Sequence, residues 1–121
     1  MSRLTFYAHP KCTTCEVARA WLRGKRLAFV EKDIRTTPPS VTELRTMLQA
    51  REGKLSRISN TSGIEYRARG LSAKLPKLSE DEALALLASN GMFVKRPFLL
   101  GAGAALVGFD EQAWAVALDR A

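Results

Sequence analysis

The stretch Leu4-Thr5-Phe6-Tyr7-Ala8-His9-Pro10-Lys11-Cys12-Thr13-Thr14-Cys15 decides the fold. Leu4 to Ala8 is a short apolar, aromatic-rich run ended by His9-Pro10, and it reads as a buried strand. After the cysteines, Val17, Ala18, Trp21 and Leu22 recur at helical spacing. A helix therefore begins near the cysteines and ends near Gly24. Residues 27–34 read as a second strand, broken by Thr36-Thr37-Pro38-Pro39. This β-α-β order calls for a parallel pair joined by a right-handed crossover.

Outward from this unit, Ser40 and Glu43 form a capping box, followed by an apolar helix face of Leu44, Met47 and Leu48. Residues 52–77 are less regular, with short helical pieces expected around Tyr66 and Leu71. Ser79 and Glu82 make a second capping box, opening a helix that stops at Asn90-Gly91. Residues 95–100 read as a strand with Pro97 near its start. Gly101-Ala102-Gly103 is a tight turn, and residues 104–107 return as the second arm of a hairpin. Asp110 caps a last helix carrying Trp114 and Leu118. Trp21 and Trp114, set among apolar neighbours, read as core. The fold class is α/β: a sheet with covering helices and an inserted helical lobe over about 38–90, packed on the sheet. The 121 residues are expected to form a single domain.

Composition supports this reading. Hydrophobic residues make up 46% and charged residues 26%, which excludes wholesale disorder. No apolar run approaches the ~20 residues of a membrane helix, and the N-terminus has no signal-peptide core. A cytoplasmic location with no membrane partner is expected. The net charge of +7 suits acidic protein surfaces, nucleic acid or oxyanions. Much of the excess lies in the first 35 residues, with 8 basic and 3 acidic side chains. No basic block interleaved with aromatics and no zinc-finger or RNA-binding signature is present, so direct sequence-specific DNA binding is not expected.

The chemistry centres on Cys12 and Cys15. Cys12 stands where a strand turns into a helix, and free N–H groups and the helix dipole stabilise a thiolate there. Lys11 adds positive charge. The expected consequence is a lowered pKa and a nucleophilic Cys12, with Cys15, one turn in and more buried, resolving a mixed disulfide. A pair of inert core cysteines is the competing reading. Zinc is not expected: His9 is the only other Cys or His in the chain, so no four-ligand Cys/His site can be assembled. Arg96-Pro97 gives a second clue. Pro97 opens a strand, where a missing N–H is tolerated, and Arg96 offers a fork of donors for an oxyanion or the Cys12 thiolate. Asn60-Thr61-Ser62-Gly63 either lines the site from the lobe or is only a turn.

Three segments together resemble the arsenate reductase-like branch of the thioredoxin superfamily, which holds the glutaredoxin-coupled arsenate reductases and the Spx/MgsR-type regulators. They are residues 7–15, residues 60–67 (Asn60-Thr61-Ser62-Gly63-Ile64-Glu65-Tyr66-Arg67) and residues 95–100. The resemblance implies a thioredoxin-like core, with Cys12 as nucleophile and Pro97 as a cis-proline facing the cysteines. It also implies a clamp of three arginines around the arsenate oxyanion, of which Arg96 matches one. The other two positions fall at Asn60 and Gly108, a loss that argues against efficient arsenate reduction. Cys15 departs from the arsenate reductases and matches the CxxC switch of the regulators, which act by contacting RNA polymerase.

The expected function is an arsenate reductase-like thiol–disulfide oxidoreductase with Cys12 as nucleophile and Cys15 as resolving thiol. Arg96, Pro97, Lys11 and Asn60 are its candidate substrate or anion contacts. No bound cofactor is expected; glutathione would serve as co-substrate, with glutaredoxin or thioredoxin as partner. The alternative is a redox-switched regulator contacting RNA polymerase.

Overall fold

The computed structural model describes residues 3–119. It divides into two compact units, Met1–Asp33 with Arg96–Ala121, and Ile34–Lys95. The elements of the first unit are β1 (Leu4–Ala8), α1 (Thr13–Gly24), β2 (Phe29–Asp33), β3 (Phe98–Gly101), β4 (Ala104–Val107) and, at the C-terminal end, a helix over Glu111–Leu118. The four strands form one mixed sheet in the order β2-β1-β3-β4. β1 runs parallel to β2, with Phe6 opposite Glu31, and antiparallel to β3, with Tyr7 opposite Phe98.

The period-two alternation of β1 decides what lies on each face. Leu4, Phe6 and Ala8 join Leu99, Leu106, Cys15, Ala18, Leu22, Trp114 and Leu118 in one apolar cluster. Burying each large side chain of this kind contributes roughly 1.5–3 kcal/mol. On the opposite face Tyr7 and Phe98 are also buried and meet edge to face, with ring centroids 5.8 Å apart. The β3–β4 turn places Ala102 and Gly103 at φ +52° and +79°. Positive φ at both central residues is the two-residue hairpin geometry that matches strand twist.

The inserted helices make the second unit, 34–95, a little longer at each end than the lobe expected from sequence. It contains α2 (Val41–Ala50), α3 (Ile64–Ala68), α4 (Leu71–Lys74) and α5 (Glu80–Ala88), with 3₁₀ turns after α2, α4 and α5; the C-terminal helix of the first unit is therefore α6. Both capping boxes form: Ser40 and Ser79 accept from the Glu43 and Glu82 amides, and each glutamate returns a bond. Arg45 bridges α2 to α5 through Glu80 and Asp81 at 2.6 and 2.7 Å. Leu44, Met47, Leu48, Tyr66, Leu84, Leu87 and Phe93 are buried.

Three sequence readings shift in extent. The second strand is shorter than residues 27–34, starting at Phe29. Residues 95–97 precede β3 rather than opening it, since Pro97 has no N–H to give the ladder. α5 ends at Ala88, and Gly91–Phe93 forms a 3₁₀ turn whose Met92 amide is capped by Asn90. No helix among the described residues is long and apolar enough to cross a membrane.

Two glycines make opposite tests of this packing. A Cβ on Gly91 would collide with the Ile34 carbonyl, whereas one on Gly24 meets nothing within 4 Å. Gly91→Ala is expected to cost about 3 kcal/mol and Gly24→Ala to be neutral or stabilising by up to ~1 kcal/mol, read from denaturant midpoints.

Candidate active site

The loop between β1 and α1 is shaped by His9. Its carbonyl accepts the Cys12 amide at 3.1 Å, and its Nδ1 accepts the Lys11 amide at 3.0 Å. This turn delivers Cys12 as the N-cap of α1 in extended conformation, φ −92° and ψ 113°. Cys12 Sγ accepts the Cys15 backbone N–H at 3.2 Å. A sulfur therefore stands where Ser, Thr, Asp or Asn usually caps a helix. The amides of a helix's first turn and the positive end of its dipole favour negative charge at such a position. Cys12 is half-buried and its thiol is free; Cys15 is fully buried and also free.

The two sulfurs differ in environment. From an ordinary value of 9.0, burial, the hydrogen bond of the Cys15 thiol to Cys12, and repulsion by Cys12 push Cys15 up to about 12. A backbone hydrogen bond from His9 and the positive charge of Arg96 act in the other direction without offsetting these. Cys15 therefore keeps its proton across the physiological range.

Arg96-Pro97 lies at the same end of the sheet. Because Tyr7 pairs with Phe98, the residue before Phe98 falls beside the end of β1, from which the cysteine loop leaves. The Arg96–Pro97 peptide bond is cis, as the resemblance implied. Arg96 is half-buried and Pro97 buried. The Pro97 carbonyl accepts the Gly108 amide at 2.9 Å, and the Gly108 carbonyl accepts Trp114 Nε1 at 3.0 Å, so α6 holds this edge in place. Trp114 is core, as its spacing suggested; Trp21 is half-buried and meets it edge to face at 6.2 Å.

The first unit thus gathers Lys11, Cys12, Cys15, Arg96 and Pro97, with the Lys11 side chain exposed. Asn60 belongs to the second unit. Its amide nitrogen donates to the Met92 carbonyl at 3.2 Å, and its backbone bonds Phe93 and Gly63. The Asn60–Gly63 segment is a turn closed by the Gly63 amide on the Asn60 carbonyl at 2.9 Å. His9 has no part in the sequence reading of the site, although its ring acceptor and carbonyl build the loop; its place two residues before Lys11 is the available signal. Among the described residues no three His, Cys, Asp or Glu side chains gather as metal ligands.

Comparison with known proteins agrees with this geometry. The ArsC family model matches residues 7–117, which span the cysteine loop, the Arg96–Pro97 step and the lobe between them. The chain belongs to the ArsC family. It is 44% identical over 108 residues to the protein YusI of Bacillus subtilis (strain 168), covering 89% of this chain and 92% of that one. It is 32% identical to the global transcriptional regulator Spx of Enterococcus faecalis, covering 89% and 80%. Among solved structures, one described as a possible arsenate reductase from Streptococcus mutans UA159 superposes with a TM-score of 0.82 at 43% identity, covering 90% and 92%. This ArsC-family chain therefore has a thioredoxin-like fold with arsenate reductase-like and Spx-named relatives.

The contrast between the two thiols has two consequences. Alkylation of the reduced protein at pH 7.5, mapped by mass, is expected to modify Cys12 at least about tenfold faster than Cys15. The raised value at Cys15 also sets a sign. Between about 9 and about 12 the folded protein holds a proton that the unfolded chain has released. Stability conferred by the protonated thiol is thus complete below 9 and falls as pH rises through that window. Denaturant melts from pH 8 to 11 are expected to show a downward slope that Cys15→Ala lessens.

Proposed function

We propose that this chain is a thiol–disulfide oxidoreductase of the arsenate reductase-like kind. The carrying observation is the Cys12 sulfur seated as the N-cap of α1, accepting the Cys15 amide at 3.2 Å with the buried Cys15 thiol beside it. Cys12, as thiolate, attacks a disulfide R–S–S–R′; the Cys12–S–S–R bond forms and R′–S⁻ leaves. Cys15 then loses its proton and attacks Cys12 Sγ, closing the Cys12–Cys15 disulfide and releasing R–SH. Two glutathione molecules, or the dithiol of a glutaredoxin or thioredoxin, return the pair to the reduced state and are themselves oxidised. Lys11 and Arg96 supply positive charge for an anionic substrate or the carboxylates of glutathione, and Pro97 shapes the edge against which it lies. Asn60 is not needed for these steps. Arsenate is a poor substrate in this reading, because two positions of the arginine clamp are Asn60 and Gly108.

Glutathione-dependent reduction of hydroxyethyl disulfide, coupled to NADPH through glutathione reductase, tests the proposal. Turnover is expected in the wild type, with a fall of about 10²-fold or more in Cys12→Ser. The likeness to a protein named as a transcriptional regulator favours a second reading, a Cys12–Cys15 switch that alters a binding surface. No turnover, together with capture of RNA polymerase that changes between oxidised and reduced protein, would establish that reading and end the first.

A further inference from the structure

His9 is the only histidine in the chain, and it stands in the loop that delivers Cys12. Three of its polar groups are engaged there. Its carbonyl accepts the Cys12 amide at 3.1 Å. Its own amide bonds the Cys15 sulfur. Its ring Nδ1 accepts the Lys11 amide at 3.0 Å, two residues on. The first two bonds belong to the backbone and are open to any residue. The third belongs to the ring and depends on its protonation. An amide N–H can only donate, so Nδ1 must offer a lone pair, and the neutral ring must carry its proton on Nε2. A proton bound at Nδ1 turns that acceptor into a donor and sets two N–H groups against each other. His9 is half-buried and the bond is exposed, so solvent protons reach it. Imidazole ordinarily titrates near about 6.5.

Asparagine, aspartate and serine make the same kind of turn, with a side-chain oxygen meeting the amide two residues on. An asparagine would close the loop at every pH. A histidine in this role makes the closure depend on pH. We propose that His9 is a positioning residue whose neutral imidazole latches the Cys12 loop through the Lys11 amide and whose protonation releases it, so that the seat of Cys12 loosens as pH falls through the histidine range. The inference rests on the thiol–disulfide reading given above, in which Cys12 is the attacking sulfur. The titratable and charged groups on the elements around the loop are Lys11 and Cys12 within it and Cys15 and Glu16 on the first turn of α1. Lys32 and Asp33 stand at the end of β2, opposite Tyr7 and Ala8, and Arg96 lies ahead of β3. Their charges set the pH at which the ring protonates; they do not alter what protonation does to the Lys11 bond.

With one histidine in the chain, its two ring nitrogens can be read directly in two-bond ¹H–¹⁵N spectra of the reduced protein. The neutral ring is expected to be protonated at Nε2, and the Lys11 amide proton to shift with the same midpoint as the ring. Alkylation of Cys12 by N-ethylmaleimide from pH 5 to 8, mapped by mass, reads the consequence. His9→Asn supplies an acceptor that does not titrate. The ratio of the wild-type rate to the His9→Asn rate is expected to lie within twofold of one at pH 8. It is expected to fall about fivefold by pH 5, the equivalent of one hydrogen bond, with the midpoint of the ring. His9→Ala, which has no acceptor, is expected to react about fivefold slower than wild type at pH 8 and level with it at pH 5. A neutral ring protonated at Nδ1 overturns the proposal, and this is read on the wild type even should a variant not fold. A ratio that stays within twofold across the range, or rises as pH falls, overturns it as well. Failure of the wild type to reduce hydroxyethyl disulfide ends the oxidoreductase reading and leaves the tautomer and the rate ratio to judge the latch.

Discussion

One hydrogen bond organises the reactive end of this molecule: the Cys15 amide donating to Cys12 Sγ at the first turn of α1. A helix opens with donors that have no partner inside it, and in this chain a sulfur meets one of them. The bond seats Cys12 half-buried at the helix mouth, while Cys15, three residues on, lies in the apolar cluster of Phe6, Ala18, Leu22 and Leu99. The difference in surroundings then follows from place alone. The sulfur at the helix mouth meets amide donors, and the buried one meets hydrocarbon and a neighbouring sulfur.

The rest of the first unit keeps that mouth where it is. The parallel β1–β2 pairing requires α1 to cross over one face of the sheet, and the bidentate Arg19–Glu31 pair fastens the helix to β2. β3 and β4 bring the Arg96–Pro97 step to the same sheet end, and the bonds from Gly108 and Trp114 hold it there. Local capping, sheet register and an aromatic cluster thus converge on one small region. Such convergence of independent constraints is what a defined site requires.

Much of this was legible in the sequence because it rests on short-range rules. The apolar run before His9-Pro10, the helical spacing of Ala18 and Leu22, and the Ser-x-x-Glu boxes at Ser40 and Ser79 each specify an element by local chemistry. The cap position of Cys12 was legible because a strand–CxxC–helix order puts the first cysteine at the helix start. The Gly101–Gly103 hairpin was legible because few residues accept positive φ. What escaped reading depends on tertiary context. That Pro97 precedes its strand is settled by the register of β1 against β3. The Arg19–Glu31 bond joins residues twelve apart across a crossover, and nothing local marks either one. The commitment of Asn60 to the Met92 carbonyl follows from lobe packing across thirty-two residues.

The most direct measurement of the account is the intact mass of two single-cysteine proteins, Cys15→Ser and Cys12→Ser, after exposure of the folded chains to oxidised glutathione. The account expects Cys15→Ser to carry one glutathione, mapped to Cys12, and Cys12→Ser to carry none. An adduct on Cys15 in the folded protein, or none on Cys12, would contradict it.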